Sequence, residues 1–362
     1  ARATAMPVHE VTDHMPVEPD HVYVIPPGWS MIIDGSELQL SKERLRQQSI
    51  DHFLRSLARD GGHRAIGVIL SGSASDGTLG LKEIKAQGGI TFAQDSSAQV
   101  DSMPRSAVAS GCVDYVLSPG DIARELLRIS RHPYVLPAGA GRPPATEGDQ
   151  LQSILALVRA KTGVDFSHYK HNTLYRRIGR RMVLLKLDTL GAYLELLQGS
   201  PPEVEALHHD FLINVTSFFR DPEAFEFLKA QVLPRLTEHR SRNDPVRVWV
   251  LGCSTGEEAY SVAIAFAEYA EESGRNVPLQ IFAPDLDAAA IELARMGIYP
   301  KSIAHDVSPV RLRRYFVDLD GHYRIAKSIR DVCVFARHNV LNSPPFSHID
   351  LLTCRNLLIY LE

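Results

Sequence analysis

Short apolar runs alternate with turns and a helical stretch over the first third of the chain. Residues 21–25, 65–70 and 90–93 are rich in Val, Ile and aromatic side chains, and turn residues bound each run, which is typical of β-strands. Between the second and third runs, Leu79, Leu81 and Ile84 predict a helix by their spacing. A strand, a helix and a further strand in this order predict a parallel sheet.

The pattern becomes helical in the middle of the chain and then returns to alternation. Residues 150 to about 238 show helical periodicity almost throughout, which predicts a small all-α domain. The apolar run 246–251 leads into a small-residue turn, a helix over residues 259–270 and a strand at 279–283. This order predicts a second α/β domain. The stretch from 132 to 149 is rich in Pro, Gly and Ala, and we interpret it as a linker.

Composition excludes several classes of protein. The chain has 362 residues, of which 44% are apolar and 23% charged, as in folded proteins of two or three domains. The formal net charge of −4 comes from 39 basic and 43 acidic residues, so no overall field attracts nucleic acid. No run approaches the roughly 20 apolar residues of a membrane span, and the N-terminus lacks signal-peptide features. We expect a cytoplasmic protein without membrane insertion.

The cysteines and the chain ends add two expectations. Four cysteines lie far apart and form no C-x-x-C pair: Cys112, Cys253, Cys333 and Cys354. This spacing indicates neither a metal site nor a disulfide framework, and reduced thiols are the default. The chain begins at Ala1 and ends shortly after the apolar, strand-like run 349–354. We therefore expect a fragment that is cut at both ends.

The turn over residues 252–258 is the strongest candidate for a ligand site. It lies between a predicted strand and a predicted helix and contains Gly252, Ser254 and Gly256. Small residues allow a ligand to approach the backbone, and the N-terminus of a helix offers free N–H groups. Asp285 ends the next strand, where nucleotide-binding sheets place a carboxylate for ribose hydroxyls. Together these features predict a nucleotide-like ligand.

The same turn admits two other interpretations. Its letters also spell G-x-S-x-G, the nucleophile elbow of α/β-hydrolases, with Ser254 as the nucleophile. That mechanism needs an acid and a histidine that act on Ser254, and His305, His322, His338 and His348 have no distinguishing context. The second interpretation is a glycine turn with a structural role alone.

Five sequence blocks in this half of the chain resemble the CheR family of chemotaxis methyltransferases. They follow one another in the family's order over residues 150–362: 214–220 (NVTSFFR), 252–260 (GCSTGEEAY), 283–287 (APDLD), 339–341 (NVL) and 354–360 (CRNLLIY). One departure is Pro284, where the family usually carries Thr or Ser. The resemblance implies S-adenosyl-L-methionine (SAM) as the cofactor.

The resemblance also assigns roles to individual residues. It places Asn214, Thr216 and Arg220 over the cofactor, and Glu258 and Asp285 on its amino-acid or ribose parts. It places Asn339 and Val340 beside the adenine. At the reacting centre it places Arg355, Asn356 and Tyr360, of which Arg355 and Tyr360 are the catalytic candidates. Without the resemblance, Asn214 and Thr216 are an ordinary helix cap and Arg220 is a surface cation.

The implied substrate is a glutamate on the helical signalling domain of a methyl-accepting chemotaxis receptor. The sulfonium of SAM is an activated methyl donor and a glutamate carboxylate is already an anionic nucleophile, so positioning and exclusion of water supply most of the rate. A basic group on one predicted helix is either a solvated face or a surface for the acidic receptor bundle: Arg176, Arg177, Arg180 and Arg181.

The first part of the chain resembles the C-terminal half of the catalytic domain of the CheB methylesterases. The resemblance rests on residues 68–82 together with 88–89, 93–94, 103–104 and 113–114. It implies that Asp76 is the acid of a Ser-His-Asp triad, in which the acid orients the histidine. The serine and histidine blocks of the family lie upstream, and residues 1–22 hold no equivalent. We expect this part alone not to hydrolyse esters.

The fold that we expect is α/β, with a truncated parallel-sheet methylesterase domain, a small all-α subdomain and a Rossmann-like SAM-dependent methyltransferase domain without its last strands. The predicted segments are 1–131, a linker at 132–149, then 150–240 and 241–362. The order resembles known CheB–CheR fusions, which often continue into sensory and kinase regions. Two other functions stay open: a catalytically silent interaction module that binds receptors or signalling partners, and an α/β-hydrolase that uses Ser254.

Overall fold

The computed structural model describes residues 4–42, 48–134, 145–214, 216–241, 244–275 and 277–361. The chain forms two compact units. Unit 1 comprises Ala1–Ser167 and His171–Phe211, and unit 2 comprises His168–Lys170 and Leu212–Glu362. These units do not follow the four predicted segments, whose boundaries stay a prediction. Most of the predicted linker, residues 135–144, lies outside the described residues.

The described strands of unit 1 pair into three small sheets. Its strands are β1 (Val8–Glu10), β2 (Met15–Pro16), β3 (Val22–Val24), β4 (Ser30–Asp34), β5 (Glu37–Ser41), β6 (Ile66–Ile69), β7 (Ile90–Gln94) and β8 (Tyr115–Leu117). Strands β6, β7 and β8 pair in parallel in that order, which confirms the predicted parallel sheet. Strands β1 and β3 also pair in parallel. The antiparallel sheet β2-β5-β4 was not predicted.

Eight helices belong to the described part of unit 1. They are α1 (Ser49–Gly61), α2 (Thr78–Ala86), α3 (Ser102–Ala109), α4 (Pro119–Ile129), α5 (Ala145–Thr162), α6 (His171–Leu185), α7 (Leu190–Gly199) and α8 (Pro201–Phe211). Local sequence fixes several of their starts: Ser118 caps α4, with Pro119 at its first position, and Thr189 caps α7. The helical region that the periodicity predicted is therefore present as α5–α8 and continues into unit 2.

Unit 2 begins with a helical run and continues as a parallel sheet with its helices. The elements are α9 (Pro222–Phe227), a π-helical turn (Leu228–Val232), α10 (Leu233–Thr237), β9 (Val246–Val250), α11 (Glu257–Ser273), β10 (Leu279–Asp285), α12 (Ala288–Met296), β11 (Ile298–Pro300), α13 (Pro309–Tyr315), β12 (Phe316–Leu319), β13 (His322–Ile325), α14 (Lys327–Arg330), β14 (Cys333–Arg337), β15 (Leu351–Thr353) and a 3₁₀ turn (Leu358–Tyr360).

The described strands of unit 2 pair into two sheets. The four-stranded sheet runs β14-β10-β9-β15, and all of its pairs are parallel. The three-stranded sheet β11-β13-β12 is antiparallel and was not predicted. Among the described residues, no helix is both long and apolar enough to cross a membrane.

The core of unit 2 lies where α11 covers the parallel sheet. Val248 and Val250 of β9 and Ile281 of β10 share one face of the sheet and are fully buried. Helix α11 turns a nearly continuous apolar face, residues 259–266, into the same core. The predicted strand–turn–helix–strand order of this region is confirmed, and the sheet fixes the position of the turn after β9.

The arginines of α6 correct one interpretation. Arg177 and Arg180 are 7% and 1% exposed, so they form neither a solvated face nor an open receptor surface. They contact the part of unit 1 that resembles the methylesterases, residues 1–131, here called the esterase part. The contacts are to the end of α2 and to Asp114. Of the four arginines in this group, Arg176 is the exposed one.

Candidate functional site

The candidate site lies at the carboxyl edge of the parallel sheet in unit 2. Strands β9, β10, β14 and β15 all end at this edge because they are parallel. The chain builds β10 and β14 outward on one side of β9 and then returns to place β15 on the other. Ligands of open α/β sheets bind where the strand order reverses in this way. The edge between β9 and β15 is such a switch point.

The turn that follows β9 needs its glycines. Gly252 and Gly256 have φ values of +61° and +95°. A Cβ on Gly256 would lie 3.0 Å from Ala294 Cβ and 3.2 Å from the Tyr299 hydroxyl, so the close approach of α12 also disfavours a side chain here. Ser254 adopts φ +49° without being glycine, and its N–H donates to Asp285 Oδ2 at 2.7 Å.

Asp285 joins this turn to the next strand. Its Oδ2 accepts from Ser254 and its Oδ1 accepts from Asp287 N at 2.9 Å. Burial raises the pKa of Asp285, and the backbone donors oppose that rise by stabilising the anion. Pro284 leaves this arrangement intact, because β10 continues through Asp285 and Cys253 N donates to Pro284 O at 3.1 Å.

Asn214 enters the site through a short hydrogen-bonded chain. Its Nδ2 donates to Asp287 Oδ2 at 2.5 Å, and its Oδ1 accepts from Ser254 Oγ at 3.2 Å. Asp287 is 5% exposed and caps α12 through Ala289 N at 2.8 Å. Thr216 is half-buried two residues further on. The hydroxyl of Ser254 therefore serves this amide, a geometry that gives the hydrolase interpretation no support.

Glu258 has an unsatisfied oxygen. It lies in the first turn of α11, and its Oε1 is buried with no hydrogen-bond partner among the described residues. Burial raises the pKa of Glu258, while the nearby Thr353 hydroxyl and the charges of Arg355 and Arg220 act to lower it. A buried carboxylate oxygen without a donor is costly unless a ligand supplies one.

A cavity of about 160 Å³ adjoins Glu258. Its wall combines Glu258, Thr353 and Arg355 with apolar side chains from the helical run that starts unit 2: Ala224, Phe225, Phe227, Leu228 and Val232, with Val262 of α11. The carboxylate thus faces a small, largely apolar space. A largely apolar wall strengthens charge pairing beside it relative to bulk water.

Arg355 and its neighbours form the wall beyond β15. Arg355 Nη2 donates to Arg220 O at 2.5 Å and to Asp221 Oδ2 at 2.7 Å, and its guanidinium lies 5.2 Å from the centre of the Phe225 ring. Asn356 is exposed with φ +57°. Tyr360 is half-buried in the following 3₁₀ turn, and its carbonyl accepts from Lys170 N at 2.9 Å.

Asn339 and Val340 follow β14 at the same edge. His338 N donates to Asp285 O at 2.9 Å, which ties this segment to β10. Asn339 Oδ1 accepts from Leu341 N at 3.0 Å, and Val340 is 38% exposed. Every predicted residue of the methyltransferase site thus lies in unit 2, and the ends of four strands and the segment from 214 to 220 supply them.

Two residues of this edge were not predicted as site residues. Asp287 links Asn214 to α12, and the Thr353 side chain lies near Glu258 and lowers its pKa. The D-x-D spacing of Asp285 and Asp287, directly before a helix, is the signal that marks Asp287 as a cap. Thr353 carries no comparable local signal, because only the pairing of β15 with β9 brings it beside α11.

Asp76 lies apart from this edge, in the loop between β6 and α2 of unit 1. Its Oδ2 accepts from Ile50 N at 3.1 Å and its Oδ1 from Asp51 N at 2.8 Å, so it caps the start of α1. In return, Asp51 Oδ1 accepts from Gly80 N of α2 at 2.7 Å. The two helix starts hold each other through two carboxylates. In the described parts of both units, no group of three or more His, Cys, Asp or Glu residues is arranged to hold a metal ion.

Three family models match the sequence. Residues 214–362 match "CheR methyltransferase, SAM binding domain", and residues 149–212 match "CheR methyltransferase, all-alpha domain". Residues 1–126 match "CheB methylesterase". The carboxyl edge described above lies within the SAM-binding match, and Asp76 lies within the methylesterase match.

Individual relatives agree with these matches. An uncharacterised 104.1 kDa protein of Rhodobacter capsulatus is 40% identical over 386 residues, which cover 99% of this chain and 40% of that protein. The chain therefore spans less than half the length of this relative. The chemotaxis protein methyltransferase of Salmonella typhimurium is 34% identical over 222 residues, which cover 58% of this chain and 72% of that protein.

A second methyltransferase and one solved structure are also similar. The chemotaxis protein methyltransferase of Listeria innocua is 32% identical, with 60% of this chain and 80% of that protein covered. The crystal structure of the Thermotoga maritima CheB methylesterase catalytic domain is 29% identical, with 33% of this chain and 68% of that chain covered and a TM-score of 0.30.

Proposed function

The chain belongs to the CheR family of chemotaxis methyltransferases, joined to a CheB methylesterase domain, and from this premise we propose that it methylates glutamate side chains of methyl-accepting chemotaxis receptors. The cofactor of the matched domain is SAM. The observation that carries the proposal is the unsatisfied oxygen of Glu258 beside a small cavity at the switch point of the sheet.

The charged groups at this edge fit the amino-acid part of SAM. Glu258 supplies a carboxylate for an ammonium group, and Arg220 and Arg355 supply cations for a carboxylate. Both arginines lie within electrostatic reach of Glu258, since the charge of each lowers its pKa. A zwitterion satisfies the orphan oxygen of Glu258 without leaving a new unpaired charge, which is the condition for burying a charged group at low cost.

The remaining groups fit the nucleoside part. Asp285 ends β10, the position that holds ribose hydroxyls in nucleotide-binding sheets. Asn339 and Val340 lie on the neighbouring segment, where an amide and an apolar side chain suit the edge and face of a purine. We assign Asn214 and Thr216 to the segment that covers the cofactor, in which Asn214 is fixed through Asp287.

The chain has little covalent chemistry to perform. SAM, when bound, supplies a methyl group on a positively charged sulfur that is already a good leaving group. The carboxylate of the receptor glutamate is ionised at neutral pH, so no general base is needed. We assign Arg355, Asn356 and Tyr360 to the reacting centre, where they orient the incoming carboxylate and exclude water.

The esterase part contributes the opposing reaction of the same adaptation cycle in the family. Within this chain, the triad group that we assign to it is Asp76, and we propose that the chain itself does not hydrolyse esters. Four free cysteines support a reducing compartment, so we propose that the chain acts in the cytoplasm on the signalling domain of the receptor.

Calorimetric titration with SAM tests the cofactor assignment. We expect Glu258→Gln to weaken SAM binding by about 10- to 100-fold, the value of one charge-assisted hydrogen bond. The matched control is Glu257→Gln on the same helical turn, where the carboxylate instead accepts from Thr255 Oγ1 at 2.6 Å, and we expect a change below about threefold. Equal losses in both variants would remove the assignment of Glu258.

Transfer of radiolabelled methyl from SAM to a receptor signalling domain tests the reaction. The proposed enzyme yields an ester that base hydrolyses to volatile methanol, and receptor glutamates replaced by alanine abolish the label. Binding of SAM without any labelled receptor would favour the silent interaction module. Ester hydrolysis that is lost in Ser254→Ala would favour the hydrolase.

A further inference from the structure

The esterase part and the helical segment of unit 1 share one hydrophobic core. Ile90 and Phe92 of β7 pack in a single buried cluster with Ile122 and Ile129 of α4 and with Val183 of α6. The first three lie in the methylesterase match, whereas Val183 lies in the all-alpha match. The apolar cluster therefore runs from one matched family to the other without an intervening surface.

Helix α6 contacts the end of α2. Arg177 Nη1 donates to Lys85 O at 3.1 Å, and its Nη2 donates to Ala86 O. These are the last two carbonyls of α2, and Lys85 O also accepts from Gly88 N at 3.0 Å. A guanidinium at this position also complements the negative end of the helix dipole. Arg177 is thus committed to the esterase part of the chain.

The esterase part contacts the end of α6 in a similar way. Arg128 Nη2 donates to Val183 O at 2.8 Å, and the Tyr115 hydroxyl lies 3.4 Å from Leu184 O. His132 Nε2 lies 2.9 Å from Leu187 O, just past the helix. The backbone after α6 caps the helix locally, since Leu187 N donates to Met182 O at 2.9 Å. Each part therefore adds side-chain contacts to the C-terminal end of a helix in the other.

Arg180 is the centre of a buried ion cluster. Its guanidinium pairs with Asp114 of the esterase part, donates to Asp210 Oδ2 of α8 at 2.9 Å and, through Nε, to Gly89 O at 3.3 Å. The Asp114 side chain is 4% exposed and also accepts from Thr91 N at 3.0 Å. Removal of one member leaves a buried charge without its full set of partners, which is among the most destabilising changes in proteins.

Gly179 lets the two parts approach closely. A Cβ at this position would lie 2.3 Å from the Tyr134 ring, so the ring rests directly on the backbone of α6. The Tyr134 hydroxyl donates to Gly88 O at 3.0 Å, back in the esterase part. The chain after α4 therefore lies between α6 and the loop that precedes β7.

We propose that the esterase part binds the face of α6 that carries Arg177 and Arg180, so that residues 66–134 and helices α5–α8 fold and open as one cooperative unit. Arg177 and Arg180 hold the esterase part, and a receptor that approaches α6 meets Arg176 instead. All of the contacts that join these segments lie within unit 1, so this cooperative unit does not depend on whether the chain transfers methyl groups.

Hydrogen exchange of the full chain, read by mass spectrometry, tests the proposal. The variant Asp114→Asn alters only the esterase part, and Arg180→Met alters only α6. We expect each variant to speed exchange about tenfold or more both in β7 and in α6, because one opening exposes both. Arg176→Met is the matched control on the same helix, with an expected change below about twofold.

Two results would overturn the proposal: faster exchange that is confined to the part that carries the substitution, and protection that is unchanged in both parts. If Arg180→Met does not fold, Tyr134→Phe gives a milder test, since it removes only the hydrogen bond to Gly88 O. We expect a few-fold faster exchange in β7 and α6 together. A response in one of them alone would again contradict the single unit.

Discussion

The loop after β6 in unit 1 and the turn after β9 in unit 2 follow the same local rule. In each, a strand leads through small residues into a helix whose N-cap is a glycine in the left-handed region, Gly77 at φ +92° and Gly256 at φ +95°. Each also holds a non-glycine residue with positive φ, Ala74 at +68° and Ser254 at +49°. The backbone of the two segments is thus alike.

The two segments differ in what they leave free for a ligand. Both oxygens of Asp76 accept hydrogen bonds from the start of α1, so this acid is satisfied within the fold. Glu258 keeps a buried oxygen without a partner in the described residues, whereas both oxygens of Asp285, like those of Asp76, accept backbone N–H groups. A strand–loop–helix motif therefore fixes the path of the backbone. A ligand site also requires a polar group that the fold leaves unsatisfied, and Glu258 is that group in unit 2.

The glycine substitutions have the largest expected effect and test the shared backbone. We expect Gly77→Ala and Gly256→Ala each to lower the free energy of unfolding by about 1–3 kcal/mol, the cost of a left-handed residue with a Cβ. The new Cβ of Gly77→Ala would also lie 2.4 Å from Ile69 Cδ1. Hydrogen exchange in β7 and in β9 reports the two units separately.

Gly120→Ala is the control for these glycine variants. Gly120 lies in α4, and a Cβ there meets no atom within 4 Å. We expect a gain of up to about 1 kcal/mol, because alanine favours the helix and restricts the unfolded chain. A neutral Gly77→Ala would show that the two turns are not built by the same rule.

The substitution Asp285→Asn tests the proposed ribose contact in unit 2. The amide keeps an acceptor for only one of the two backbone donors that Asp285 holds, and the charge that suits ribose hydroxyls is lost. We expect SAM binding to weaken by about 10- to 100-fold in calorimetry. Asp320→Asn, in the exposed turn between β12 and β13, is the control, and an equal loss there would contradict the assignment.

The substitution Asp76→Ala tests the satisfied acid of unit 1. It removes the acceptor for two N–H groups of α1, and we expect the free energy of unfolding to fall by about 1 kcal/mol, the usual value of a helix cap. Chemical denaturation followed by circular dichroism measures the change, with Ser75→Ala in the same exposed loop as control. SAM binding in Asp76→Ala should equal that of the parent chain, and a large loss would break the contrast.

The pH dependence of SAM binding has the smallest expected effect. Burial raises the pKa of both Glu258 and Asp285, so the free protein holds extra protons between about pH 4 and the raised values. A cationic ligand favours the ionised carboxylates. We therefore expect binding to release protons in this window and to weaken a few-fold as pH falls through the raised pKa values. Titrations in two buffers of different ionisation enthalpy measure the released protons.

The raised pKa values of Glu258 and Asp285 also determine how their contribution to stability changes with pH. Because the folded chain binds more protons than the unfolded chain in this window, the contribution of these two groups is fully present below the unfolded pKa values and is lost as pH rises through the folded ones. Glu258→Gln and Asp285→Asn together should remove this part of the pH dependence. An unchanged profile in the double variant would assign it to other groups.

Prediction from the sequence was most accurate where the signal is local. The strands at β6, β7, β9 and β10 were expected because continuous apolar runs in an α/β order become buried parallel strands. The position of Asp285 at the end of β10 followed from the same pattern. The antiparallel sheets β2-β5-β4 and β11-β13-β12 were missed, because their strands are short and partly exposed and carry weak periodicity.

The catalytic family, the glycines of the turn after β9 and the acids that follow it could all be read from the sequence. These features depend on residues close together in the chain, so spacing alone reveals them. The folded structure was needed to show that Asp76 is satisfied by α1, that an oxygen of Glu258 has no partner in the described residues, and that Arg180 is buried against Asp114. Whether a polar group meets a partner depends on residues distant in sequence, and packing alone brings those together.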